Sequence, residues 1–288
     1  MKDIFVLGVD IGGSHISAAL VNLENAAVIP TSAVRLKTDP AGSARYLIDV
    51  WARAIEASYE HTGITEKRIG IAMPGPFDYE EGISRIIGLA KFESLYGLNV
   101  KELLAERLEI SPANIEMIND ASAFLLGEVK AGAARGFRDA AGITLGTGLG
   151  SAGYFNGVLH EGDCWCTPYR EGRAEDYLCS RWFVQEYEKA TGNKVAGVRE
   201  LIDLAPNNPV VIELFNTFGS QLAEVLLMKY PPSLQQVIVV GGNIAKAWKL
   251  FMPAAETYFW SKGKRMNLQP AQLGEQAAII GAAFLHAD

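Results

Sequence analysis

The chain has 288 residues, 49% apolar and 20% charged, enough to bury about 75% of its unfolded surface without disulfide or metal staples and too apolar to stay disordered. At roughly twice the ~150 residues of one domain, it is expected to fold as two lobes. Its 26 basic and 33 acidic residues leave a net charge of −7, which argues against a nonspecific nucleic-acid binder, and three cysteines, an odd number, point to a reducing compartment.

In chain order, Ile4 to Val9 is a nearly continuous β-branched run that reads as a buried strand. Asp10 interrupts it too early for a signal peptide. Ile11-Gly12-Gly13-Ser14 is a turn, Ile16 to Val21 the returning strand, and Val28 to Leu36 a third. Ala44 to Tyr59 has helical spacing, with Leu47, Val50, Trp51, Ala54 and Ile55 on one side. Ile69 to Ala72 is a strand stopped by Pro74-Gly75-Pro76. Val100 to Leu108 reads as a helix, Ile115 to Ile118 as a strand and Ala121 to Ala133 as a helix.

After Arg135-Gly136 the pattern begins again. Ala141 to Leu145 is a strand, Gly146-Thr147-Gly148-Leu149-Gly150 a glycine turn, and Ala152 to Phe155 a return strand. Helices are expected over Ala174 to Thr191 and Val210 to Lys229, then a strand over Val237 to Val240 ending at Gly241-Gly242-Asn243. The last helix, Glu275 to Leu285, contains an apolar stretch about half the ~20 residues a membrane span needs, so a soluble, cytoplasmic protein is expected.

The two strand–glycine turn–strand units align with Gly12 over Gly148 and Asn22 near Asn156, an internal duplication. Two such α/β lobes facing each other would leave a central cleft for ligands. The expected division is 1–120, with the last helix (276–288) crossing back, against 121–275; the boundary is placed near residues 120 to 136.

Asp10-Ile11-Gly12-Gly13-Ser14 offers backbone N–H groups to a polyanion, with Asp10 placed to hold Mg²⁺ through water; a plain hairpin is the alternative. The turn at Thr147-Gly148 adds a hydroxyl, and is neither a Walker loop nor a Rossmann fingerprint, because a strand and not a helix follows. Asp120 stands where a strand hands over to a helix, either as an N-cap or as a general base, and Asn119 beside it carries a donor and an acceptor. Gly241-Gly242 is either an exit turn or a bare surface for a base or ribose.

The order Asp10-x-Gly12-Gly13, Pro74-Gly75-Pro76, Asn119-Asp120-Ala121, Gly146-Thr147-Gly148-x-Gly150, Gly241-Gly242 resembles the ROK family of sugar kinases and sugar-responsive repressors. The match runs over nearly the whole chain. The resemblance implies two ribonuclease-H-like lobes of the actin-like ATPase superfamily, an ATP- and Mg²⁺-dependent transfer of phosphate to a hexose or amino-sugar hydroxyl, and a homodimer. It makes Asp120 the catalytic base, assigns Gly75 and Asn119 to the sugar, Gly12, Gly13, Ser14, Thr147 and Gly148 to ATP phosphates, and Gly241, Gly242 and Asn243 to adenosine.

Two departures stand out. Where many members have a Cys-x-Cys-Gly-x-x-Gly-Cys zinc motif, this chain has Cys164-Trp165-Cys166 and a distant Cys179, so no structural zinc is expected. The Glu-x-Gly-His sugar motif has no match either. Asp163 and Cys166 would take its two places, with His160 and Glu161 as the rival assignment, while Glu175 fits the family's later sugar-binding glutamate. His15, His61 and His286 have no metal-like spacing, and Trp51, Trp182, Trp248 and Trp260 read as core or interface residues. A noncatalytic sugar sensor working through a protein partner is the alternative function, since a first strand beginning by Ile4 leaves no helix-turn-helix ahead of it. A polyphosphate-dependent glucokinase is the other.

Overall fold

The computed structural model describes residues 4–60, 62–232 and 236–287. Its contacts divide the chain into two units, one running up to Arg135 and resuming at Glu275, the other spanning Gly136–Gly274.

In the first unit the strands are β1 (Phe5–Ile11), β2 (His15–Asn22), β3 (Ala27–Val28), β4 (Val34–Lys37), β5 (Ile69–Met73), the small pair β6 (Phe77–Asp78) and β7 (Ile83–Ser84), and β8 (Ile115–Asn119). The helices are α1 (Ala44–Tyr59), α2 (Val100–Leu108) and α3 (Asp120–Ala131). The main sheet has the order β3-β2-β1-β5-β8, with β4 also on β2. β1, β5 and β8 run parallel, and β2 runs against β1. The strand expected over Val28 to Leu36 is split, because Pro30 opens a 3₁₀ turn, Pro30–Ser32. Period-two alternation sends Leu7, Val9, Ile11, Ile69 and Ile71 into a core with Leu47, Trp51 and Ile55 of α1 and Leu104 and Leu108 of α2.

The second unit repeats the plan. Its sheet, β11-β10-β9-β14-β15, is built from β9 (Asp139–Leu145), β10 (Leu149–Phe155), β11 (Val158–Glu161), β14 (Gln236–Gly241) and β15 (Asn267–Pro270), with β12 (Pro168–Tyr169) and β13 (Gly172–Arg173) as a separate hairpin. Here too a hairpin partner runs against the first strand and the next two are parallel to it. Matching β1 to β9 end to end sets Gly12 opposite Gly146 rather than Gly148, and Asp10 opposite Thr144; the second unit has no counterpart of the Asp10 carboxylate. Among the described residues five α-helices complete it: α4 (Ala174–Tyr177), α5 (Ser180–Thr191), α6 (Val198–Leu204), α7 (Pro209–Lys229) and α8 (Trp248–Ser261). The single helix expected over Ala174 to Thr191 breaks at Leu178-Cys179, because Ser180 turns back to bond the Gly146 carbonyl through its N–H at 2.8 Å and its hydroxyl at 2.9 Å. α7 is long and apolar enough to cross a membrane. Its buried face, including Val211, Phe215, Phe218, Leu222 and Leu226, packs in the unit's core with Phe183 and Phe251. Trp51 and Trp182 are core residues, whereas Trp260 is 66% exposed.

The chain then returns to the first unit as α9 (Gln276–Ala283) and lies on the sheet face opposite α1 and α2, packed against α3, β1 and β5. This contact keeps α3 in the first unit, so the contacts divide the chain after Arg135, inside the expected boundary region of residues 120 to 136 and later than residue 120, and Glu275 belongs with α9.

Candidate active site

Three parallel strands of the first unit end at one edge of the sheet, and the residues singled out in the sequence sit at those ends. Asp10 pairs with Ala72 across β1 and β5, and Met73 pairs with Asn119 across β5 and β8. Carboxyl ends of parallel strands are where open α/β sheets collect ligands, because each chain leaves the sheet there in a loop.

Asp10 points to the α9 face, since Gly8, two residues earlier, lies directly against Ile279. It lines a cavity of about 170 Å³ with Gly12, Ser14, His15, Ser17, Arg35 and Glu275. Arg35 and Glu275 form an ion pair at 2.5 Å, and Ser14 Oγ lies 2.9 Å from His15 Nδ1. Desolvation, then the negative charges of Asp120 and Glu275, push the Asp10 pKa up to about 7, with Arg35 pulling the other way. Gly12 N–H is taken by the His15 carbonyl at 2.9 Å, while Gly13 and Ser14 N–H have no protein acceptor among the described residues.

The raised Asp10 pKa has a stability consequence. Between the ordinary value of 3.8 and about 7 the folded chain binds this proton more tightly than the unfolded one. The group's stabilising contribution is complete below about 3.8 and is lost as pH rises to about 7, an effect of at most about 4 kcal/mol. Asp10→Asn is therefore expected to raise the melting temperature at pH 8 and to change it little at pH 4. Thermal unfolding of both proteins at the two pH values checks this, and an equal shift at both would refute the burial of that charge.

The cap of α3, an alternative the sequence left open for Asp120, falls to its neighbour. Asn119 is the N-cap of α3, its Oδ1 accepting from the N–H groups of Ala121 at 2.9 Å and Ser122 at 3.3 Å. Asp120 is the first helical residue and is exposed at its surface. One of its oxygens accepts from Ala121 N–H at 2.8 Å. Despite that open surface, protein packed around the carboxyl desolvates it and pushes its pKa up, against the pull of the Ala121 N–H and Lys91. Lys91 sits between Ala90 and Phe92, two non-glycine residues with φ of 52° and 55°. The 74–79 segment completes the cluster. Gly75 is bare toward Tyr79 Oη, which donates to the Met73 carbonyl at 2.9 Å and accepts from Asn119 Nδ2 at 3.2 Å.

In the second unit the turn after β9 is closed by Gly146 N–H bonding the Gly148 carbonyl at 3.0 Å. Thr147 and Gly148 N–H have no protein acceptor among the described residues, as at Gly13 and Ser14 in the first unit. Glu175 lies against this turn, accepting from Leu149 N–H at 2.9 Å, and a Cβ at Gly148 would stand 2.6 Å from its Oε2. Gly241 pairs with Thr144, and Gly242, at φ +87°, presses on the backbone of Leu145. The two glycine segments thus meet at one sheet edge, with Asn243 Oδ1 accepting from Lys246 Nζ at 2.9 Å.

Asp163 is in an ion pair with Lys229 Nζ at 2.6 Å, which holds its carboxyl below the usual range; its side chain is 71% exposed. Cys166 Sγ reaches the Asp163 carbonyl at 3.3 Å, and buried Cys164 lies 3.6 Å from Tyr230 Oη. His160 stacks near Phe155 on β11. His286 Nε2 stands 3.1 Å from the Ile69 carbonyl, and His61 lies outside the described residues. Among the described residues no group of three or more His, Cys, Asp or Glu is gathered to hold a metal ion. Arg35, Glu275, Lys91 and Tyr79 carry no motif in the sequence and reach the site only through folding.

A sequence model of the ROK family matches residues 6–288. An N-acetylgalactosamine kinase of Shewanella is 24% identical over 96% of this chain and 95% of its own length. A glucokinase of Streptomyces coelicolor is 27% identical over 97% and 96%. Among solved structures, a ROK family glucokinase from Streptomyces griseus in complex with glucose and AMPPNP superposes with a TM-score of 0.77 at 24% identity, covering 98% of both chains. A ROK hexokinase from Thermus thermophilus superposes at 0.75 and 24%, covering 97% and 96%. The fold is therefore the ribonuclease-H-like, actin-like ATPase fold in two lobes.

Proposed function

Because the chain belongs to the ROK family, we propose that it is a carbohydrate kinase that transfers the γ-phosphate of ATP to a hydroxyl of a hexose or amino sugar. The observation that carries this reading is the division of labour at α3. Asn119 caps the helix, so the Asp120 carboxylate is left for chemistry at the end of a parallel strand. Asp120 then takes the proton of the sugar hydroxyl as its oxygen attacks the γ-phosphorus, and ADP leaves.

Gly75, Asn119 and Glu175 contact the sugar in this reading, and Asp163 contributes the lone pairs its Lys229 pair leaves exposed. The open N–H groups of Gly13, Ser14, Thr147 and Gly148, with the turn at Gly12, suit phosphate oxygens, and Gly241, Gly242 and Asn243 border adenosine. Asp10 and Glu275 are hard oxygen donors that share the single cation Arg35, which already pairs with Glu275, and the negative charge left at Asp10 fits Mg²⁺ held there through water. Mg²⁺ would supply charge neutralisation for the triphosphate. The three cysteines are free thiols, as a cytoplasmic location implies, and a homodimer belongs to the same reading.

A coupled assay of ADP release over a panel of hexoses and amino sugars tests the proposal. Turnover with at least one sugar is expected, and none with any would overturn it. Sugar phosphate formed from polyphosphate but not from ATP would replace the donor, and sugar binding without transfer would favour the sensor.

A further inference from the structure

Tyr79 and Asn119 form a hydrogen-bond chain whose direction is fixed at both ends. Asn119 Oδ1 accepts from two backbone N–H groups, so the amide cannot be flipped without setting its NH₂ against two donors. The NH₂ is therefore on the side of Tyr79. There the Tyr79 hydroxyl has spent its proton on the Met73 carbonyl at 2.9 Å and offers a lone pair to Asn119 Nδ2 at 3.2 Å. Each bond leaves the next group only one role. The second N–H of the amide has no protein acceptor among the described residues. Gly75 adjoins the same hydroxyl, where a Cβ would stand 3.1 Å from Oη and 4.0 Å from Asn119 Nδ2. The ring is held independently, against Phe77 with centroids 5.2 Å apart.

We infer that Tyr79 is a positioning residue for sugar binding: its hydroxyl holds one N–H of the Asn119 amide and thereby aims the other at a hydroxyl of the sugar. The inference rests on the sugar-kinase reading above and adds to it a residue that does not itself touch the substrate. Without the hydroxyl, the cap bonds still forbid a flip, but the amide plane can rock about its held oxygen and the NH₂ loses a partner, which weakens a bond made to bound sugar in ground and transition state alike.

The test is Tyr79→Phe, which keeps the ring, measured with whichever sugar the wild type phosphorylates. The KM for sugar is expected to rise about tenfold, with kcat falling less than threefold and the KM for ATP within about twofold. A role confined to stability would lower the melting temperature without separating the two KM values. Asn119→Ser retains a capping oxygen and removes the amide donor. In that background Tyr79→Phe is expected to add nothing to the sugar KM. An unchanged sugar KM in Tyr79→Phe, or full additivity of the two substitutions, overturns the inference while the sugar-kinase reading stands. A wild type that transfers phosphate to no sugar defeats both.

Discussion

Asp120→Asn is expected to lower kcat by about a thousandfold or more while leaving the fold and ATP binding in place. General-base catalysis contributes roughly 10²–10⁴, and an amide has no proton affinity to supply it. The substitution is mild structurally. Asn119 does the capping, and an Asn oxygen at 120 can still accept from Ala121 N–H, which now stands 2.8 Å from the carboxylate. It also relieves two unfavourable terms, the desolvated charge of Asp120 and its repulsion of Asp10. Folded stability is thus expected to be unchanged or slightly raised, and the Asp10 pKa to drop from about 7. Because desolvation pushes the Asp120 pKa up, wild-type kcat/KM should fall as pH drops through that raised value, with the base lost by protonation. Steady-state kinetics with a melting curve check all of this. Turnover like the wild type's would remove Asp120 from the mechanism.

The second large effect is on folding. Gly281 of α9 faces α3 so closely that a Cβ would stand 1.8 Å from the Ala123 carbonyl oxygen and 2.8 Å from Gly127 N. On the sheet side, a Cβ at Gly70 of β5 would be 1.8 Å from the Ala282 carbonyl oxygen. These neighbours are backbone, not flexible side-chain ends, so relief requires α9 to move off its bed. Ordinary overpacking costs about 1–3 kcal/mol. Here the loss is expected to exceed about 4 kcal/mol, the range reserved for a named structural conflict. Gly281→Val should give insoluble protein, and Gly281→Ala a melting temperature lower by about 10 °C. Gly197→Ala is the control, because nothing lies within 4 Å of its Cβ and its φ of 165° is extended backbone. A Gly281→Ala protein as stable as this control would show that α9 does not pack so closely. Since α9 begins beside Glu275, loosening it would also disturb the Asp10 cavity.

Local chemistry made much of this legible beforehand. The strand–glycine turn–strand units, the helices at Ala44–Tyr59 and Val100–Leu108, and the strand-to-helix step at Asn119-Asp120 are short-range patterns, set by side-chain period and turn residues that neighbours in sequence supply. Which of Asn119 and Asp120 caps α3 was not legible, because both residue types cap well and the choice depends on backbone direction at the end of β8. The break between α4 and α5 was equally hidden, since the Gly146 carbonyl that Ser180 bonds lies far away in sequence.

What the sequence by itself determined, then, is the repeated α/β plan and the motifs at its strand ends, because hydrophobic period and glycine placement act over a few residues. Only the tertiary structure decided which unmarked side chains join them. Arg35 and Glu275, separated by most of the chain, meet at Asp10 because α9 returns to the face that Gly8 leaves bare. Tyr79 meets Asn119 because β5 and β8 run parallel and end in register. Such meetings depend on long-range packing, and packing leaves no periodic trace in the residues it brings together.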